Sequence, residues 1–344
     1  MKTGAKRTPA STFETTDALF APLAKAQGVL LAVSGGPDST ALLLMAAHWL
    51  RQGGRPRTEV ATVDHAMRPD ARAEAEAVAA LCRRQGLTHH LLEWRDEKPR
   101  TRIQERAREA RYRLLSDCAR AIGADHLVTA HHADDQAETV LFRLLRGSGI
   151  AGLAGMSERA TREGIILFRP LLGLPKTELV AYCKEHGEAF ALDPSNLDPR
   201  FARTRLRKLT ELLAMEGLGA AQLARLARRA ALMEEAIRRQ TNVASARLAW
   251  PAGGKCDARV LFAEPLEIAQ RLIAERIAEI GGKRHRPASL EQIERLALAL
   301  RDALAREIAL RVNVGGASIS MSAKGELGLA PESPRRATAA KTPR

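Results

Sequence analysis

One junction restricts the fold more than any other stretch of the chain. The apolar run Gly28 to Val33 (GVLLAV) passes directly into Ser34-Gly35-Gly36-Pro37-Asp38-Ser39, and Thr40 to Leu50 then carries a helical pattern. A buried strand, a glycine turn and a helix in immediate succession are the parts of an α/β layer. The two glycines let backbone N–H groups approach an anion without Cβ obstruction. Ser34 and Ser39 add hydroxyl donors, and the helix start aims its unpaired N–H groups and positive dipole end at the same point. The turn therefore suits a pyrophosphate. Asp38 would repel one unless Mg²⁺ or a proton intervenes, which makes sense for a metal-bridged polyphosphate. The plainer reading is a glycine-rich turn in which Ser39 or Asp38 caps a helix.

The alternation continues. Glu59 to Val63, His90 to Trp94 and His126 to Ala130 read as strands, while Ala71 to Arg84, Thr101 to Ala121 and Asp134 to Arg146 read as helices. This rhythm predicts a parallel sheet covered on both faces, with ligands beyond the carboxyl ends of its strands. The chemistry should sit just after Val33, Val63 and Ala130, where the most unusual polar residues of the chain stand.

Further on, Pro199 to about Leu213 reads as a basic helical connector, and residues 219–306 read as Ala-, Leu-, Arg- and Glu-rich helices broken near Pro251–Gly254. Ile308, Leu310, Val312 and Val314 alternate with polar neighbours before Gly315-Gly316, and Ile319 and Met321 alternate after it, which predicts a β-hairpin. The expected organisation is a disordered segment over 1–15, a catalytic domain over 16–198, a connector over 199–217, a helical RNA-docking domain with a hairpin over 218–330, and a disordered basic tail over 331–344.

A formal net charge of +14 points to a polyanionic partner. With aromatics at only 3%, a long row of base-stacking rings is excluded. Cys82, Cys118, Cys183 and Cys256 form no CxxC pair, so they read as reduced core residues. Neither an apolar leader nor a bilayer-length run is present, so a cytoplasmic protein without a membrane partner is expected.

The Ser34–Ser39 turn resembles the SGGxDS loop of the N-type ATP pyrophosphatases, or PP-loop enzymes, which split ATP into AMP and pyrophosphate. Four later motifs narrow the resemblance: Val63-Asp64-His65-Ala66-Met67-Arg68, His131-His132-Ala133-Asp134-Asp135-Gln136-Ala137-Glu138-Thr139, Asp193-Pro194-Ser195-Asn196, and Arg200-Phe201-Ala202-Arg203-Thr204-Arg205-Leu206-Arg207. Together they look like the tRNA(Ile)-lysidine synthetase family over roughly residues 28–210. Thr204 departs from that family's usual Asn. What the resemblance implies is a ligase. ATP and Mg²⁺ would activate the C2 oxygen of the wobble cytidine in an isoleucine tRNA with a CAU anticodon, and free L-lysine would displace AMP. A homodimer is compatible with the sequence.

On this reading Ser34, Gly35, Gly36, Pro37, Asp38, Ser39 and His65 bind the nucleotide. Asp38 and Asp134 are candidates for Mg²⁺, and Asp38, Asp134, Glu138 and Arg111 for catalysis. Asp134 and Glu138 are four apart on one helix face; Glu138 is assigned the lysine, and Asp134 the metal or the proton. Arg111, beside Arg108 on a mixed-charge helix, could clamp the lysine carboxylate or a phosphate. Arg203, Arg205 and Arg207 of the connector, with Arg228 and Arg229, are the expected tRNA contacts. Three other readings remain: a PP-loop tRNA thiolase, a non-catalytic RNA-binding protein on an ATPase fold, and a dinuclear metal site at His131, His132, Asp134 and Asp135.

Overall fold

The computed structural model describes residues 16–64, 71–95, 103–191, 202–251, 253–281 and 287–332. The chain divides into two compact units, one of residues 1–147 with 152–229 and the other of 148–151 with 230–344.

The first unit is built on a six-stranded sheet, and its opening elements follow the expected alternation. They are β1 (Gly28–Ala32), α1 (Pro37–Leu50), β2 (Arg57–Asp64), α2 (Ala71–Arg84), β3 (His89–Glu93), α3 (Ile103–Ala121), β4 (His126–Thr129) and α4 (Ala133–Leu144). Then come β5 (Arg159–Arg162), β6 (Ile165–Phe168), α5 (Lys176–Glu185), α6 (Ala202–Met215) and the long α7 (Ala220–Leu248), of which residues from Ala230 on belong to the second unit. The strand order is β3-β2-β1-β4-β6-β5, parallel throughout except for the antiparallel edge strand β5.

Side-chain alternation on β1 separates two cores. Val29 and Leu31 join α1, α2 and α5, whereas Leu30 joins Tyr112, Leu115 and Ala119 of α3. Helix α1 is apolar nearly all round and is buried on nearly all of its length.

Two corrections to the sequence reading bear on the site. Helix α1 begins at Pro37, not Thr40, because proline suits the first helical position and lacks only an N–H that would be unpaired there anyway. Asp38 thus sits in the first turn of a helix, where the dipole favours an acid. The β5–β6 pair was not foreseen. Its turn, Glu163-Gly164, has positive φ at both residues, a hairpin geometry more often marked by Asn-Gly.

In the second unit the predicted hairpin is real but belongs to a larger sheet. Val314 pairs with Ala317 across Gly315-Gly316, both at positive φ, so β8 (Leu310–Val314) and β9 (Ala317–Met321) form a tight two-residue hairpin. Strands β10 (Glu326–Pro331) and β7 (Lys255–Asp257) extend it to the antiparallel order β7-β10-β9-β8. Helices α8 (Ala258–Ala263), α9 (Leu266–Gly281) and α10 (Leu290–Ala305) supply Leu261, Leu272, Ile277, Leu296 and Leu300 to the core against this sheet.

The four cysteines are free and buried. Burial pushes the thiols up, Cys82 and Cys256 to about 12 and Cys183 to about 11, with Cys118 moved the same way. No thiol should therefore react with a chromogenic disulfide reagent at pH 8 in the native protein, while all four react after unfolding in guanidinium. Rapid labelling of any thiol in the native chain would contradict this burial.

Candidate functional site

The carboxyl ends of β1 and β4 adjoin in the sheet, so the Ser34–Ser39 loop and the start of α4 meet. The loop is braced by its own serines. Ser39 Oγ accepts from the Ser34 amide at 3.1 Å, donates to the Gly36 carbonyl at 3.1 Å, and lies 3.2 Å from Ser34 Oγ. Gly35 takes φ +86°, a conformation that disfavours a side chain, and its carbonyl accepts from Ala191 N–H at 2.9 Å. At Gly36 a Cβ would meet only Ser34 Oγ, at 3.9 Å, so the backbone is open to an approaching group.

His132 is the meeting point. It caps α4 and is 3% exposed. Its Nε2 lies 3.5 Å from Asp38 Oδ2 and 3.4 Å from Asp135 Oδ2, and its Nδ1 lies 3.4 Å from Asp134 Oδ2. Asp135 also accepts from the His132 amide at 3.2 Å. Burial opposes a charge on His132, but hydrogen bonds and charge from Asp134, Asp38 and Asp135 outweigh it and raise its pKa to about 10. The Asp134 amide points at Nδ1 from 3.2 Å, a bond that only a neutral ring can accept. Three carboxylates around the ring favour its charged form, in which Nδ1–H donates instead to Asp134 Oδ2, 3.4 Å away. That contact, assisted by the Lys176 amide at 2.9 Å, holds the Asp134 pKa below the usual carboxylate range.

Asp38 Oδ1 is buried with no hydrogen-bond partner, while Oδ2 faces His132 and Lys176 Nζ, the latter at 3.9 Å. An orphaned carboxylate oxygen beside a phosphate-type loop fits a Mg²⁺ ion that takes its remaining ligands from a polyphosphate and water. Among the described residues no cluster of three or more His, Cys, Asp or Glu could hold a metal by itself, which leaves the dinuclear reading without a ligand set.

Glu138, one turn beyond Asp134, is 7% exposed and accepts from Arg207 Nε at 2.6 Å. Leu206 and Leu209 of α6 pack against Ala137, Val140 and Leu141 of α4, which holds the two partners together. Arg207, expected to face RNA, is thus held on a site carboxylate. Arg205, Arg228 and Arg229 are exposed. Arg111 is half-buried, with its guanidinium 5.7 Å from the Tyr112 ring centre. His65, Asp193–Asn196, both chain ends and the side chains of Arg203 and Thr204 lie outside the described residues.

One site residue was missed in the sequence. Lys176 opens α5, where the helix dipole disfavours a cation, and that misplacement was the available signal.

Residues 9–213 match a family model described as a PP-loop domain. The chain is 51% identical over 317 residues to a tRNA(Ile)-lysidine synthase of Methylobacterium nodulans, covering 91% of this chain and 92% of that one. It is 46% identical to the tRNA(Ile)-lysidine synthase of Rhodopseudomonas palustris, over 92% and 94% of the two chains. A U34-tRNA thiolase, NcsA from Methanococcus maripaludis, solved with its [4Fe-4S] cluster, superposes with a TM-score of 0.54 at 17% identity, over 64% of this chain and 80% of that one. That likeness shows a common fold.

The raised His132 pKa carries a pH signature. Because the folded value lies above the ordinary 6.5, the imidazolium contacts stabilise fully below pH 6.5 and are lost as pH rises toward 10. His132→Gln should therefore lower Tm most below pH 6.5, and the deficit should shrink as pH approaches 10. A pH-independent deficit in thermal melts would contradict this.

Proposed function

The chain belongs to the tRNA(Ile)-lysidine synthase family, and from that premise we propose that it ligates free lysine to C2 of the wobble cytidine in a CAU-anticodon isoleucine tRNA, consuming ATP. The observation that carries the reading is the convergence of Asp38, from the phosphate-type loop, with Asp134 and Asp135, from the acidic helix, on one buried imidazole. A nucleotide gripped at the loop places its α-phosphate beside groups able to handle an amine.

The roles follow from the chemistry of each group. The Ser34–Ser39 backbone and the α1 N-terminus bind the pyrophosphate portion of ATP. Asp38, through its unpartnered oxygen, would hold a Mg²⁺ ion, which would neutralise phosphate charge when bound. The C2 oxygen of cytidine attacks the α-phosphorus, and pyrophosphate leaves. Glu138 orients the lysine ε-amine, and Asp134, kept ionised by His132 and the Lys176 amide, accepts its proton or would help to hold the Mg²⁺ ion. The amine attacks C2 and AMP departs. Arg111, on α3, is assigned an anionic group of a substrate from its motif position. His65 is assigned to the nucleotide and Arg203 to RNA from their motif positions alone.

The tRNA needs a wider footprint than the anticodon loop. Arg205 on α6, and Arg228 and Arg229 on α7, offer exposed guanidinium groups to phosphates, and the second unit is assigned to docking the same tRNA. Among the described residues no helix is long and apolar enough to cross a membrane, and cytoplasmic residence suits an enzyme acting on tRNA. The thiolase reading has less support. All four thiols are buried with raised pKa values, the reverse of what a sulfur carrier or cluster ligand needs.

Incubation with ATP, labelled lysine and a CAU-anticodon isoleucine tRNA transcript should place label in acid-precipitable RNA, and Asp38→Ala should reduce it by roughly 10²-fold. Sulfur incorporation without lysine would overturn the assignment. Charge reversal of Arg228 and Arg229 together should weaken tRNA binding about tenfold at physiological salt and leave ATP affinity unchanged. Unaltered tRNA affinity in a filter-binding assay would refute that part.

A further inference from the structure

Helices α1, α4 and α5 meet at the phosphate-type loop, and α5 contributes only a backbone amide to the roles assigned above. The turn that leads into α5 is tied to the start of α4. Ala133 N–H donates to the Leu174 carbonyl at 2.8 Å, and Lys176 N–H donates to Asp134 Oδ2 at 2.9 Å. Pro175 stands at the N-cap without a side-chain cap, so the Asp134 carboxylate caps α5 from outside. Further along α5, Cys183 Sγ donates to the Pro37 carbonyl at 3.4 Å, and Leu179 and Tyr182 join the core around α1. The first residue of α5 is thereby fixed against both the loop and the acids.

Lys176 occupies that position, where the helix dipole works against a cation. Its Nζ lies 3.9 Å from Asp38 Oδ2, beyond hydrogen-bond distance, and its side chain is 42% exposed. Among the described residues Asp38 is its ion-pair partner, and at that separation the ammonium keeps N–H groups for another acceptor. The neighbouring cations are more committed. Both ring nitrogens of His132 face aspartates, and Arg207 Nε is held by Glu138. A nucleotide seated on the loop brings further negative charge to a cleft that already holds Asp38, Asp134 and Asp135. Lys176 stands where the two sets of anions join, its amide on Asp134 and its ammonium near Asp38. The α-phosphate belongs at the same junction, between the loop that grips the pyrophosphate and the acids that handle the amine.

We propose that Lys176 is a catalytic residue of the first step, its ammonium meeting a non-bridging oxygen of the α-phosphate. The cytidine C2 oxygen forms a bond to the α-phosphorus, the bond to the bridging oxygen breaks, and pyrophosphate leaves with that electron pair. Charge shifts onto the phosphate oxygens in the transition state, so a cation there acts on the rate more than on ATP affinity. Attack by the lysine amine in the second step does not draw on it. The inference rests on the adenylation half of the reading above, and not on which nucleophile follows.

Single-turnover release of pyrophosphate, measured with ATP and the CAU-anticodon transcript but without lysine, isolates that step in the full-length protein. Lys176→Gln should slow it roughly 10²-fold. Affinity for α,β-methylene-ATP, which cannot be cleaved at that bond, should stay within about threefold of the parent. Lys176→Arg keeps a cation in place and should recover all but about tenfold of the rate. Unchanged release in Lys176→Gln overturns the proposal. So does a fall in analogue affinity as large as the fall in rate, which marks a contact made equally in the ground state. Equal losses in the two variants, with lowered melting temperatures, mark a merely structural role and also overturn it. If Lys176→Gln does not fold, Lys176→Met is read on the same scale. Pyrophosphate release by the parent without later incorporation of labelled lysine would defeat the ligation reading alone, and no release by the parent would defeat both.

Discussion

The cleft depends on one buried positive charge. Asp38, Asp134 and Asp135 come from two elements that meet only through the tertiary fold, and their mutual repulsion would drive them apart without a counter-charge. His132 supplies it from the N-cap of α4, a position the helix dipole makes unfavourable for a cation. The arrangement persists because the carboxylates outweigh both that dipole and the cost of burial. Displacing the ring would release Asp38 from α4 and, with it, the link between the phosphate-type loop and the acids.

The sheet makes this meeting obligatory. Parallel strands send all their carboxyl ends to one edge, and β1 and β4 are neighbours, so the loop after one and the helix after the other cannot avoid each other. Strand β6 extends the same edge and carries Arg169 to the far side of β4. The fold is shared with a U34-tRNA thiolase at 17% identity. Here every cysteine is packed in a core, where burial holds the thiolate form out of reach.

Much of the first unit was legible because local signals agreed with one another. Apolar runs bounded by turn residues marked β1, β2, β3 and β4, and each lies within two residues of its expected position. The Gly315-Gly316 hairpin was equally plain. The missed elements had weaker local marks. The β5–β6 hairpin turns at Glu163-Gly164, β7 is a three-residue strand recognisable only by its pairing with β10, and β10 lacks a marked alternation and is recognised by its pairing with β9.

The order of residues along the chain determined the alternating architecture, the glycine turn and the acidic helix, because each arises from neighbours a few positions apart. It could also place Asp134 and Glu138 on one helix face, since helical spacing is a local property. Only the tertiary structure decided which charges neutralise one another. Arg207 rests on Glu138 across 69 positions, and Lys176 approaches Asp38 from another helix. Charge pairing acts through space over a few ångströms, and separation along the sequence carries no record of it.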